Sequence, residues 1–304
     1  MITRTMCPLC GTTLESGGTF FAQDLNQRIS SETFLYRKCP ACRTQVLVEI
    51  PADLKRYYGS AYPAYLEPED PAVRRFVEQV DQSKMAVLAR YASPGARVLE
   101  IGPGNGTFLR MATAAGYRMV GIEMDARCCD QLSRVHGLDV HICDDPARKV
   151  PELGRFDVVV AWHVLEHILD LSGLLRSARK ALLPGGRLLI AVPDPTCFHA
   201  RMHGSRWRHL DAPRHIHLFP AAALVSACTS LGFVHEATLR DGVLNDALTR
   251  SGSIPSKMLA RTSLRGIIAR MVTRGFFFMR PLIKLVGWED TYISIFRRVQ
   301  VSDV

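Results

Sequence analysis

The chain has 304 residues, 47% of them hydrophobic, enough for a real core in one large domain or two unequal ones. No stretch reaches the roughly 18 uninterrupted apolar residues of a membrane span, and the opening MITRTMCPLC has no signal-peptide apolar run, so a cytoplasmic globular protein is expected. The net charge of +9 is uneven: eleven Lys/Arg against five Asp/Glu lie between Arg240 and Val304, which implies a local basic patch and not a generally basic surface.

Residues 1–50 carry two CxxC pairs, Cys7/Cys10 and Cys39/Cys42, among short β-like runs and no long helix. Four thiolates close a tetrahedral shell, so the expectation is a small independent zinc ribbon with a structural ion. A redox CxxC is the weaker alternative, because neither pair follows a strand of a βαβ unit. The other five cysteines (Cys128, Cys129, Cys143, Cys197, Cys228) fall in core or helix-like segments, as inert thiols do.

A Pro- and Tyr-rich connector, IPADLKRYYGSAYPAYLEPEDP, leads into a segment with helical apolar spacing, VRRFVEQVDQSKMAVLARYA; together they fill residues 51–84 and the start of the next domain. From Ala96 strand-like and helix-like runs alternate, ARVLEIG, GTFLRMATAAG, YRMVGIEM, DARCCDQLSRVHG, DVHICD, FDVVVAWH, LSGLLRSARKALLPGG, GRLLIAVPD. Such alternation implies βαβ units and a parallel sheet covered on both faces. Asp125 is placed to cap a helix, and Gly137 and Gly185 to end helices. After Pro220 come a helix (AAALVSACTSLG), a strand (FVHEATLR), a basic apolar stretch and a closing strand-like run, DTYISIFRRV.

The loop Gly102-Pro103-Gly104-Asn105-Gly106 sits between the first strand and a helix, where glycine permits positive φ and close approach of a ligand, and where helix amides are available to an anion. Glu100 precedes it, and Glu123 ends the next strand, where a carboxylate meets a ribose. The pattern is GxGxG, not the GxGxxG of dinucleotide proteins, and favours an adenosyl ligand without a pyrophosphate; an NAD-dependent enzyme is the rival on the glycines and Glu123 alone.

ExGxGxG (Glu100 to Gly106), GIEMD (Gly121 to Asp125), CDD (Cys143 to Asp145), FDVVVAWHVLEHILD (Phe156 to Asp170) and LLPGGRLLIAVP (Leu182 to Pro193) resemble the successive motifs of class I S-adenosylmethionine-dependent methyltransferases. DAPRHIHLF (Asp211 to Phe219) with the ribbon is similar to a bacterial subgroup that methylates small molecules, sugars or lipid-linked precursors. The resemblance implies a Rossmann-like α/β sheet of seven strands over residues 85–304, the last antiparallel, with a basic apolar helical insertion at about 242–287. It also implies that Glu100 and the Gly102–Gly106 turn hold the methionine end of the cofactor, Glu123 the ribose, Met124 the adenine face and Asp144 the adenine amino group. Trp162 and His163 would lie beside the cofactor.

Methyl transfer needs an in-line acceptor, and a base only where the acceptor carries a proton at neutral pH. His163 and His167, four apart and expected on one helical face, and His215 are the candidate bases. FHARMHGSRWRHLDAPRHIHLF holds five of the ten histidines and four arginines. Its spacings suggest no compact metal-ligand set, and no other carboxylate is expected beside Asp211. Arg206, Trp207, Arg214, His215 and His217 are therefore read as substrate-binding, with Arg214 as the anion contact.

Residues 256–287 contain seven Lys/Arg and no acid, which suits peripheral contact with an anionic membrane or an ordinary lid or dimer helix. Nucleic acid is disfavoured, since aromatics are not interleaved with the basic residues and AWHV stands where an (N/D)PPY-type motif would be. The expected function is S-adenosylmethionine-dependent methyl transfer to a hydroxyl or carbon of a small metabolite, sugar or lipid-like precursor. A non-catalytic scaffold on the same fold and an RNA methyltransferase are the alternatives.

Overall fold

The structure, a computed structural model, describes residues 1–59, 62–240 and 289–299. The basic apolar segment at 256–287 and its membrane reading lie outside the described residues. No helix among the described residues is long and apolar enough to cross a membrane.

The N-terminal module contains β1 (Ile2–Thr3), β2 (Thr19–Gln23), β3 (Thr33–Lys38), β4 (Gln45–Leu47) and β5 (Glu49–Ile50). β1 pairs with β5, while β2, β3 and β4 form an antiparallel meander. The connector then makes two single turns, Leu54–Tyr57 and Pro63–Tyr65, before α1 (Pro71–Tyr91), whose first amides are capped by Asp70.

The α/β domain follows in the anticipated alternation. It comprises β6 (Arg97–Ile101), α2 (Thr107–Ala114), β7 (Arg118–Glu123), α3 (Ala126–Asp130), β8 (Val140–Ile142), α4 (Pro146–Lys149), β9 (Phe156–Trp162), α5 (Leu171–Ala181) and β10 (Leu182–Pro193). The chain continues through α6 (Phe198–His203), β11 (His217–Leu218), α7 (Ala221–Ser230), β12 (Phe233–Leu239) and β13 (Thr291–Arg298). The seven-stranded sheet has the order β12-β13-β10-β9-β6-β7-β8. β13 runs antiparallel to both β10 and β12, and DTYISIFRRV is that strand.

Alternation along the strands builds two core layers. In β9, Val158, Val160 and Trp162 face the layer containing Val87 and Leu88 of α1 and Phe108 of α2, whereas Val159 and Ala161 face Leu174, Leu175 and Ala178 of α5. The α5 residues recur at helical spacing, and Asp170 accepts from the amide of Gly173 to start that helix. Asp125 caps α3 as expected, accepting from Arg127 and Cys128. The helix expected through Gly137 is α-helical only to Asp130 and then widens into a π turn over Gln131–Val135.

The ribbon is not an independent module. β11 adds to its meander, with His217 opposite Val46 and Leu218 opposite Gln45, so one four-stranded sheet joins the two halves of the chain. A shared core packs Phe34, Tyr36, Leu47 and Tyr57 against Trp207, Leu210, Ile216 and Leu218.

Arg214 is the pin through this junction. Fully buried, it donates to Asp24 Oδ1 at 2.6 Å, to Asp211 Oδ2 and Oδ1 at 2.8 and 2.7 Å, and to the Tyr57 carbonyl at 3.1 Å. Burial alone would raise the Asp211 carboxyl, but the Arg214 hydrogen bonds and charge reverse that and hold it at about 2. Two expectations are thereby corrected. Arg214, fully buried with four of its five N–H donors and its charge engaged inside the protein, is not an open contact for a substrate anion, and a second carboxylate, Asp24, does stand beside Asp211's partner. Arg214→Ala leaves two buried carboxylates without their cation and should cost about 3–5 kcal/mol in urea unfolding. A loss below about 1 kcal/mol, the scale of an exposed pair, would contradict this role.

Candidate active site

The glycine turn caps the carboxyl end of β6. Gly102, Gly104 and Gly106 have φ of 71°, 57° and 74°, the left-handed region that penalises a Cβ. The close approach, however, is made by protein: a Cβ on Gly104 would stand 2.5 Å from the Ala64 carbonyl oxygen, and one on Gly106 2.2 Å from Leu132 Cδ2. The turn's amides are also committed. Gly102 donates to Ile122 O, Gly104 to Glu123 Oε2, Asn105 to Ala64 O and Gly106 to Pro103 O, and Thr107 donates to Asn105 Oδ1. The turn's own amides and that of Thr107 are thus engaged by protein: the connector at Ala64 closes over Asn105, and Pro103 packs toward Gly121.

Two carboxylates flank the turn. Glu100 is buried, its Oε2 has no hydrogen-bond partner among the described residues, and burial, partly offset by the Lys84 ammonium, raises its pKa to about 8. Glu123, also buried, accepts from Met124 N and Asp125 N at Oε1 (2.7 and 2.9 Å) and from Gly104 N at Oε2 (2.9 Å). Oε1 is filled by two donors, so Oε2 keeps the lone pair for a ribose hydroxyl. Burial raises this carboxyl as well, opposed by those three amides.

The loop after β9 supplies the second wall. His163 has φ 58°, and only a single turn, Leu165–His167, follows, so His163 and His167 share no helical face as expected earlier. His163 lies deep in the cleft with a quarter of its side chain open, and burial with the nearby Lys84 charge drives its pKa to about 3. Among the described residues, His163 Nε2 and Trp162 Nε1 have no hydrogen-bond partner. Glu166 is fully buried and neither oxygen accepts a hydrogen bond; His163 Nδ1 stands 3.5 Å and His215 Nε2 4.0 Å from its Oε1. Burial raises the Glu166 carboxyl, with the two imidazoles of His215 and His167 pulling the other way.

His167 Nδ1 faces the Arg214 carbonyl at 3.0 Å and Tyr58 Oη at 2.8 Å, and His215 Nδ1 faces the His209 carbonyl at 2.6 Å. A carbonyl only accepts, so His215 carries hydrogen on Nδ1 and keeps a bare Nε2 toward Glu166, whereas His167 Nδ1 either donates to the Arg214 carbonyl or accepts from the Tyr58 hydroxyl. Burial lowers both, His167 to about 4, and keeps them neutral at pH 7. The fold therefore brings together His167 and His215, which lie 48 positions apart, on either side of Glu166.

Other expected residues fall elsewhere. Asp144 is exposed and engaged by Lys55 Nζ at 2.7 Å. Met124 is half-buried beside Glu123, and Arg206 is exposed. Trp207 is buried in the core shared with the ribbon, and His217, fully buried, spans Arg4 and the Ile168 carbonyl; both hold the junction, which corrects their reading as open substrate contacts. The four CxxC sulfurs converge, with Cys7 Sγ to Cys42 Sγ at 3.6 Å and Cys10 Sγ to Cys39 Sγ at 3.5 Å. Sulfurs bound at about 2.3 Å around one tetrahedral ion would stand just under 4 Å apart, so this donor set fits zinc.

Sequence reasoning missed Lys84, which pairs with Asp81 at 2.6 Å beside Glu100, and the tyrosines Tyr58, Tyr62 and Tyr65 that line the inner side of the connector. Their signal was the aromatic density of a proline-rich segment directly before α1.

Comparison with known proteins bears on this arrangement. The family described as "Methyltransferase domain" matches residues 73–237, more than half of the chain. The chain is 29% identical over 139 residues to a ubiquinone biosynthesis O-methyltransferase of Xanthomonas oryzae pv. oryzae, covering 43% of this chain and 58% of that one. The Hahella chejuensis protein of the same name is 25% identical over 177 residues, 52% of this chain and 74% of its own. The chain thus spans little more than half the length of the Xanthomonas relative. Among solved structures, an Archaeoglobus fulgidus SAM-dependent methyltransferase superposes with TM-score 0.50 at 19% identity, over 75% of this chain and all of the other. A Haemonchus contortus N-methyltransferase, solved with phosphomonomethylethanolamine and S-adenosylhomocysteine, superposes with TM-score 0.51 at 17% identity, over 94% and 70%. With the seven-stranded sheet, its reversed final strand and the glycine turn between two buried carboxylates, the chain belongs to the methyltransferase-domain family, in the class I S-adenosylmethionine-dependent fold.

Proposed function

We propose that the protein transfers a methyl group from S-adenosylmethionine to a hydroxyl or carbon of a small metabolite, sugar or lipid-like precursor. The observation that carries this reading is the buried Glu100 carboxyl beside the glycine turn, whose Oε2 has no hydrogen-bond partner among the described residues and whose ionised form is costly unless a cation meets it. Glu100 would take the ligand's ammonium group, Glu123 Oε2 a ribose hydroxyl, Met124 the adenine face, and Trp162 and His163 the neighbouring wall. Gly102 to Gly106 would frame the methionine end, and Asp144 would reach the adenine amino group once Lys55 releases it. The bound cofactor supplies an electrophilic methyl on a sulfonium.

The remaining steps belong to the chain's own residues. The connector tyrosines and the ribbon junction would exclude water, and Arg206 is the exposed cation available to an acceptor's anionic group. In the metal-free cluster, a free ring nitrogen of His167 or His215 would receive a proton from a hydroxyl acceptor, with Glu166 stabilising the resulting imidazolium. The four CxxC thiolates would hold a structural zinc that braces the edge to which β11 is pinned. The relatives named ubiquinone biosynthesis O-methyltransferase support an oxygen acceptor.

At pH 6 to 7.5 the free Glu100 carboxyl, at about 8, holds its proton, while the cofactor's amino group is still cationic. Binding that cation favours the carboxylate, so association should release a proton and tighten as pH rises. Calorimetry in buffers of different ionisation enthalpy should read this release in the native protein and lose it in Glu100→Gln; absence of proton release in the native protein would contradict the assignment. Glu123→Ala should weaken S-adenosylmethionine binding roughly 10- to 100-fold, the worth of one hydrogen bond to a charged acceptor. Unchanged affinity would remove Glu123 from the site, and no binding at millimolar cofactor would favour a non-catalytic scaffold. Incubation with methyl-labelled cofactor and bacterial extract, followed by mass spectrometry, should give a labelled small-molecule product; label confined to RNA would overturn the acceptor class.

A further inference from the structure

We propose that Glu166, His167 and His215 form a second metal site, distinct from the four-cysteine cluster and able to take one divalent first-row cation. One carboxylate oxygen and two imidazole nitrogens lie within 4.8 Å of one another, although the sequence spacings suggested no compact ligand set. Three features select a metal over a hydrogen-bonded cluster. Glu166 is completely buried, yet neither of its oxygens accepts a hydrogen bond among the described residues, which leaves a buried carboxyl with its acceptor atoms unused. The imidazole nitrogens facing it, His163 Nδ1 at 3.5 Å and His215 Nε2 at 4.0 Å, stand too far off for good hydrogen bonds. His215 is held at Nδ1 by the His209 carbonyl, an outer contact that fixes its tautomer and leaves a bare Nε2 on the side of Glu166.

The donor chemistry identifies the class of ion. Two nitrogens and one oxygen suit Zn²⁺, Fe²⁺ or Mn²⁺, whereas Mg²⁺ and Ca²⁺ prefer all-oxygen shells. Three protein ligands leave at least one position open, the mark of a reactive and not a structural site. His167 is partly exposed, so that position is one that water or an oxygen of the methyl acceptor would take. The acceptor's part in this rests on the methyl transfer proposed above; the site itself does not.

The test counts metal in the full chain after stripping with a chelator and reloading with Co²⁺. The native protein should take two equivalents. The first should show thiolate-to-cobalt charge transfer, and the second only ligand-field bands. Glu166→Gln and His215→Asn should each lose the second equivalent and keep the first, whose spectrum also reports that the fold survives. A native protein saturating at one equivalent, or a second equivalent undiminished in both variants, would overturn the proposal. S-adenosylmethionine affinity measured on the same metal-free preparation separates the two readings: cofactor binding without a second metal sinks only this site, and a second metal without cofactor binding sinks only the methyltransferase assignment.

Discussion

The buried guanidinium of Arg214 is the contact on which the arrangement of the cleft depends. Its side chain joins Asp24 of the N-terminal module to Asp211 of the loop after β10, and its own carbonyl holds His167 by Nδ1. One residue therefore couples three things: the docking of the ribbon, the path of the histidine-rich loop and the placement of the His167 ring. Two carboxylates around one guanidinium, all out of water, are tolerable only because bidentate geometry and the Tyr57 carbonyl satisfy its donors. The ion pairs specify a geometry more than they add stability.

This coupling gives the ribbon a role beyond folding itself. Its meander is completed by β11, and Tyr36 donates to the carbonyl of His215, so the metal-ready cysteine module braces the wall that carries the cleft histidines. The connector leaving the ribbon covers the glycine turn from the other side through the Ala64 carbonyl and carries Tyr58 to His167. The N-terminal residues form the roof of the cleft, while the sheet crest forms its floor with Glu100 and Glu123.

Much of this was legible in the primary structure, and the part that was not has a common cause. Short-range patterns reported themselves: β9 alternates cleanly between the two core layers, Asp125 caps its helix, and the motifs from Glu100 to Pro193 land on successive strand ends. Interactions between distant segments did not. Arg214 and Asp24 are 190 positions apart, and nothing in an Arg- and His-rich loop distinguishes a saturated internal cation from one waiting for an anion. His215 joins Glu166 and His167 only because the loop folds back under the ribbon, so local spacing could not reveal a ligand set. The glycines were rightly placed at a tight turn, but the neighbour that makes their small size necessary is the chain itself, at Ala64, Leu132 and Val164.

The central claim is that the crest between Glu100 and Glu123 is the seat of an adenosyl cofactor. A crystal structure with S-adenosylhomocysteine tests it most directly. The account predicts the ligand's amino group within hydrogen-bonding distance of Glu100 and its ribose against Glu123 Oε2, with the connector over the turn. A nucleoside seated elsewhere, while both carboxylates remain turned into packed protein, would contradict it.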